Sequence, residues 1–66
     1  MPSKRFPRRL KALREERELS QEALARKVGV SREYIARLET GKHDPPLSRL
    51  EKLAKALKVK VTELLA

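Results

Sequence analysis

Apolar residues recur at helical spacing along most of the chain. Leu24 and Val28, four positions apart, and Ile35 and Leu38, three positions apart, each fall on one face of a helix. No segment alternates between apolar and polar residues as a half-buried strand does. The pattern therefore predicts an all-α fold of five helices, near residues 7–17, 21–28, 32–40, 47–57 and 61–65.

Capping residues indicate where these helices begin and end. Ser20 and Ser31 are favourable N-caps, because a serine oxygen can accept a hydrogen bond from the first turn of a helix. Gly29 and Gly41 are suited to the left-handed conformation that often ends a helix. The paired prolines at 45–46 interrupt the chain before the fourth helix, since proline lacks the N–H that a helix interior needs.

Residues 21–40 have the spacing of a helix-turn-helix unit. Two predicted helices are joined by about three residues that include Gly29, which allows a reversal of the chain without strain. Ala25 is small where the two helices approach each other, and Val30 is placed to fill the angle between them. In such a unit the second helix enters the DNA major groove, so residues 32–40 are the predicted reading helix.

Charge supports a nucleic-acid partner. The chain has 17 Lys and Arg against 9 Asp and Glu, a formal net charge of +8, which predicts an anionic ligand. A single Phe and a single Tyr offer few stacking platforms for single strands, so double-stranded DNA is favoured. Lys52, Lys55 and Lys58 form a basic stripe that either only faces solvent or adds to the electrostatic footprint.

Other functional classes find little support in the composition. The absence of cysteine and the single histidine argue against a metal site, and we expect no cofactor. No convergence of acid, base and nucleophile is visible, so we expect neither enzymatic activity nor a small-molecule substrate. No apolar stretch is long enough for a bilayer and no signal peptide is visible, which predicts a cytoplasmic protein without a membrane partner. Residues 1–66 are expected to form a single domain, with 1–6 as a basic N-terminal arm.

Several motifs resemble the phage-repressor/Cro family, also called the Xre family. They are Leu-Ser-Gln-Glu-Ala-Leu-Ala at 19–25, Gly-Val-Ser at 29–31 and Ile-Ala-Arg-Leu-Glu-Thr-Gly-Lys at 35–42. Residues 50–57 and 61–65 resemble the fourth and fifth helices of that family. The resemblance spans about residues 8–65. It implies a lambda-repressor-like five-helix fold and a sequence-specific, repressor-like transcriptional regulator that binds an operator in double-stranded DNA.

The resemblance also implies roles for residues on the reading helix. Arg32, Glu33 and Arg37 occupy positions that usually face base edges. Glu33 is an acid where many relatives have a neutral polar residue; it either accepts a hydrogen bond from cytosine N4 or only orients Arg37. Arg14 and Glu39 match a pair that the family commonly uses as an internal salt bridge.

Five further residues match positions that contact the DNA backbone. Gln21 resembles the glutamine that holds a phosphate and braces the reading helix. Ser31 and Tyr34 match positions of phosphate or sugar contacts, although Tyr34 alternatively packs against the following loop. Lys42 and His43 lie in that loop, which often touches the backbone.

Two questions stay open at the level of sequence. Val59, Val61, Leu64 and Leu65 either form a small patch for a weak homodimer through the C-terminal helix or belong to the core. The main alternative function is an antitoxin, or another protein-interaction module, that also binds its own operator. Few residues lie outside the motif, which leaves little surface for such a partner.

Overall fold

The computed structural model describes residues 4–66, in which the chain forms five helices and no strand. They are α1 (Phe6–Glu16), α2 (Gln21–Val28), α3 (Arg32–Glu39), α4 (Leu47–Leu57) and α5 (Val61–Leu64). The predicted all-α, five-helix architecture is confirmed, and α2 and α4 have the predicted bounds. Helices α3 and α5 end one residue early, because Thr40 and Leu65 leave helical geometry with ψ near zero (0° and 1°).

The start of α1 corrects the predicted N-terminal arm. Residues 1–3 lie outside the described residues, while Lys4 and Arg5 are exposed ahead of the helix. Phe6, which we had assigned to the arm, is instead the first residue of α1 and is only 1% exposed. Burying this aromatic ring is favourable, and Pro7 in the first helical turn needs no N–H partner.

The helix-turn-helix unit is held by side-chain caps at both of its helix starts. The Oγ of Ser20 accepts a hydrogen bond of 3.0 Å from the N–H of Ala23, and the Oγ of Ser31 accepts one of 3.1 Å from the N–H of Tyr34. Between the helices, Gly29 adopts φ +83°, a left-handed conformation that is strained for other residues. Capping and turn chemistry together direct α3 across α2.

One apolar core joins all five helices. Helix α1 packs against α3 and α5, α2 packs against α3 and α4, and α4 packs against α5. The largest fully buried side chains are Phe6, Leu10, Leu24, Ile35, Leu38, Leu53, Leu57 and Leu64. No helix in residues 4–66 has the length and apolar character needed to cross a membrane.

Two leucines of the C-terminal helices differ in burial. Leu64, one of the four aliphatic residues considered for a dimer patch, is completely buried and belongs to the core. Leu47, the first residue of α4, is by contrast 65% exposed. It is the first residue after the N-cap Pro46, so it precedes the turns of α4 that meet the core.

Candidate nucleic-acid interface

The N-termini of α2 and α3 lie side by side at one end of the helix-turn-helix unit. Arg32, at the start of α3, donates from Nη1 to the Oε1 of Gln21 at the start of α2, over 3.2 Å. The first N–H groups of both helices have no partner within their own helix and carry the positive end of the helix dipole. Two helix N-termini connected in this way favour the binding of an anion such as a DNA phosphate.

Gln21 is hydrogen-bonded to a buried ion pair. Arg14 binds Glu39 through two bonds, Nε to Oε2 at 2.6 Å and Nη2 to Oε1 at 3.1 Å. The Nε2 of Gln21 donates to the same Oε1 of Glu39 over 3.1 Å, and the Nη1 of Arg14 donates to the carbonyl of Leu19 over 2.7 Å. The side chains of Arg14 and Glu39 are only 10% and 3% exposed. The predicted pair is therefore present, and it ties α1 to the end of α3.

The electrostatics of this pair follow from the short hydrogen bond. The bond to Glu39 raises the pKa of Arg14, and it outweighs the opposing effect of burial on the charged guanidinium. The guanidinium of Arg14 therefore stays charged below the ordinary arginine range. A buried, bidentate ion pair fixes the orientation of its two side chains better than a surface contact does.

The outer face of α3 carries the three residues expected to read bases. Arg37 is exposed, and its guanidinium has no hydrogen-bond or ionic partner among residues 4–66, so it is available to a ligand. Glu33 lies with Oε2 3.7 Å from Nη2 of Arg32, and both side chains are at least half exposed. The pairing proposed from sequence between Glu33 and Arg37 is absent; Glu33 approaches Arg32 instead.

The loop after α3 forms a second cluster, around Tyr34. The ring of His43 meets the ring of Tyr34 edge-on, with centroids 5.2 Å apart, and Cζ of Arg49 lies 4.8 Å from the Tyr34 centroid. The hydroxyl of Tyr34 is buried and has no hydrogen-bond partner among the described residues. Tyr34 thus packs against the loop in this state, the alternative raised from its sequence position.

The remaining predicted backbone-contact residues flank this cluster or cap α3. Lys42 is exposed, and its own N–H donates to the carbonyl of Arg37 over 3.0 Å, which closes the end of α3. Ser31 uses its oxygen as the N-cap acceptor and keeps its hydroxyl proton for another partner. No three His, Asp or Glu side chains within residues 4–66 lie close enough together to hold a metal ion.

Sequence reasoning missed the part played by Arg49. Its charge alone favours a solvent-facing position, but Arg49 is only partly exposed and stacks on Tyr34. The available signal was weak: an arginine in the first turn of the helix that follows the loop. Its position brings a third cation, beside Lys42 and Arg37, to this side of the molecule.

Sequence comparison places the chain among helix-turn-helix proteins. The helix-turn-helix family profile matches residues 10–64. The immunity repressor of Bacillus phage phi105 is 46% identical over 54 residues, which are 82% of this chain and 38% of the repressor. An HTH-type transcriptional regulator of Methanocaldococcus jannaschii is 45% identical over 56 residues, which cover 85% of each chain. The chain thus spans well under half of the phage repressor but most of the archaeal regulator.

Solved structures show the same fold. The restriction-modification controller protein C.AhdI of Aeromonas hydrophila superposes with a TM-score of 0.87 at 40% identity, over 91% of this chain and 87% of the controller. The P22 c2 repressor in complex with a synthetic operator superposes with a TM-score of 0.86 at 33% identity, over 91% of both chains. The lambda-repressor-like fold expected from the resemblance is confirmed.

Proposed function

Because the chain belongs to the helix-turn-helix family of DNA-binding transcriptional regulators, we propose that it represses transcription by inserting α3 into the major groove of an operator. The observation that carries the proposal is the paired start of α2 and α3, with Gln21 and Arg32 joined at 3.2 Å and Arg37 free on the outer face. The two curated relatives described above are a repressor and a transcriptional regulator, and we propose no catalytic activity for the chain. We expect it to act in the cytoplasm, with the chromosome.

Base reading falls to the outer face of α3. Arg37 is the principal candidate, because a free guanidinium can donate two hydrogen bonds to O6 and N7 of guanine. Arg32 and Glu33 lie one turn earlier and meet each other at 3.7 Å. A duplex that draws Arg32 to a base edge frees Glu33 to accept from cytosine N4 on the neighbouring pair.

Backbone contacts flank the reading helix on two sides. At the start of α2, Gln21 still has one amide proton to offer a phosphate after binding Glu39. At the other side Lys42 and His43 lie in the loop, and Ser31 retains a hydroxyl proton. Tyr34 contributes by holding His43 and Arg49 in place, and its unpartnered hydroxyl is available to a sugar or phosphate after a small shift of the loop.

We further propose that two copies bind one operator. A single reading helix specifies only a few base pairs, so domains of this kind usually act as two-fold pairs about one helical turn apart. With Leu64 buried, Val59, Val61 and Leu65 are the half-buried aliphatic residues that remain near α5. A patch this small is below the size of a standard interface, so the dimer is expected to be weak until DNA joins its halves.

Selection of bound sites from a random duplex pool tests the proposal directly. We expect a motif with two-fold symmetry, whose selected duplex is then titrated at several salt concentrations. With roughly five phosphate contacts per copy, the slope of log K against log salt is expected to be about −4 to −5 per half-site. A pool that yields no motif, together with a slope near zero, would overturn the proposed function.

A further inference from the structure

A basic cleft lies between the C-terminal ends of α2 and α4. It has a volume of about 550 Å³ and adjoins a smaller recess of about 180 Å³ that shares Lys27, Ala56 and Lys58. We call it the α2–α4 cleft. Five cations line it: Arg26, Lys27, Lys52, Lys55 and Lys58.

The charges of the cleft are largely uncompensated. None of its four lysines has a carboxylate within 4.0 Å among residues 4–66, and only Arg26 is paired, with Glu22 at 3.2 Å. Both helices end here, and each C-terminus carries about half a negative charge. The two helix C-termini together offset about one of the five positive charges. A favourable interaction with the helix dipoles therefore accounts for only a small part of this cluster of cations.

Lys58 adds a second observation. It ends α4 at φ +58°, in the left-handed region, while α2 ends with glycine in the same region. Glycine adopts this conformation freely, and a lysine does so at a cost. Lys58 therefore places a cation at the edge of the cleft, at a position whose left-handed backbone conformation favours glycine.

The position of the cleft separates it from the proposed DNA face. No residue of α3 lines it. On α2, Arg26 and Val28 lie about 7.5 Å and 10 Å along the helix from Gln21 at 1.5 Å per residue, and three of the four lysines of the cleft are on or next to α4. The cleft can therefore hold a ligand other than the duplex on α3.

The shape and lining of the cleft indicate the kind of ligand. Val28 and Ala56 form apolar parts of its wall, and the cations surround them. A polypeptide segment can place an aliphatic side chain against such a wall and carboxylates against the lysines. We propose that the α2–α4 cleft binds an acidic peptide segment of a partner protein, and does so while α3 is on DNA.

The test uses the whole chain and a fluorescein-labelled peptide of Glu, Asp and a few Leu. Fluorescence anisotropy is measured with saturating selected duplex present, so that the DNA face cannot capture the peptide. The same peptide with Gln and Asn in place of its acids is the control ligand. We expect the acidic peptide to bind and the neutral one not to bind.

Two charge-matched variants then locate the site. Lys52→Glu with Lys55→Glu is expected to weaken the acidic peptide about tenfold or more, while Lys11→Glu with Lys60→Glu, exposed and outside the cleft, leaves the affinity within about twofold. Lys58→Gly, which suits the backbone and so preserves the fold, is expected to weaken it about two- to fivefold.

Three outcomes would overturn the inference. They are equal weakening by both double variants, displacement of the peptide by the duplex, and a loss of duplex affinity in the Lys52 and Lys55 variant that the Lys11 and Lys60 variant does not share. The last result would make the cleft part of the DNA footprint. The location away from DNA rests on the proposed function, but repeating the titration of the two double variants without duplex does not. Failure of DNA binding and failure of the cleft are therefore told apart.

Discussion

Replacing Glu39 with glutamine is expected to bring the fold close to its limit of stability. The Glu39 side chain is 3% exposed and accepts three hydrogen bonds, two from Arg14 and one from Gln21. Glutamine keeps the shape but offers one acceptor and places an NH₂ group against these donors. Arg14 is then a buried charge whose acceptors are the carbonyl of Leu19 and at most one neutral amide oxygen.

The size of the effect follows from burial. Breaking a buried pair costs about 3–5 kcal/mol, and because Arg14 retains 10% exposure of its side chain we take about 3 kcal/mol. A chain of 66 residues has a total stability of about 3–10 kcal/mol. Its entropy of unfolding is about 0.14 kcal/mol/K, so the expected fall in Tm is about 20 °C.

Urea unfolding followed by far-UV circular dichroism measures this difference. The control is Glu22→Gln, which removes the exposed pair with Arg26 (side chains 62% and 80% exposed) and is expected to cost less than about 0.5 kcal/mol. The double replacement Arg14→Met with Glu39→Leu is expected to recover most of the loss, because two apolar side chains leave no unpaired charge. A Glu39→Gln variant as stable as Glu22→Gln, or a double variant as unstable as the single one, would refute the reasoning.

The other predictions concern pH, base reading, the end of α4 and assembly. Because the pKa of Arg14 is raised, its contribution to the free energy of unfolding is complete at all pH values below the ordinary arginine range. The stability lost in Glu39→Gln should therefore be equal at about pH 6 and pH 9 in urea titrations. Arg37→Ala should cost about 1–3 kcal/mol at one or two base pairs of the selected site, whereas Lys42→Ala should weaken all duplexes alike; unchanged specificity in Arg37→Ala would contradict the assignment. Lys58→Gly should raise stability by up to about 1 kcal/mol in thermal unfolding, and a clear loss would show that the left-handed geometry is not strained. Val61→Lys should leave single half-site binding unchanged but remove cooperative binding to the two-fold site in gel-shift titrations; retained cooperativity would place the dimer contact elsewhere.

Local signals were sufficient for the helices and the turn. Ser20, Ser31 and Gly29 act through hydrogen bonds and backbone angles within a few residues, so their effects can be inferred without the rest of the chain. The fate of Phe6 could not be inferred in the same way. A basic flank and Pro7 indicated an arm, but the buried position of the ring depends on where α1 meets the other helices.

The site was predictable as a set of residues but not as a geometry. The pair of Arg14 and Glu39 came from a family resemblance, because nothing in the local pattern of either helix requires a partner 25 residues away. The cluster of Tyr34, His43 and Arg49 depends on the path of a proline-containing loop, whose conformation the sequence leaves open. The bond from Arg32 to Gln21 likewise depends on the distance between two helix starts.

The network from Arg14 to Arg32 links the stability of the fold to the placement of a reading residue. A glutamine amide has two ends, and their orientation is decided by what each end meets. Glu39 can only accept, so Gln21 must turn its NH₂ toward it and its oxygen toward α3. That oxygen accepts from Arg32, which can only donate. The largely buried pair thereby orients the first arginine of the reading helix before DNA binds, and this reduces the side-chain ordering that binding would otherwise require.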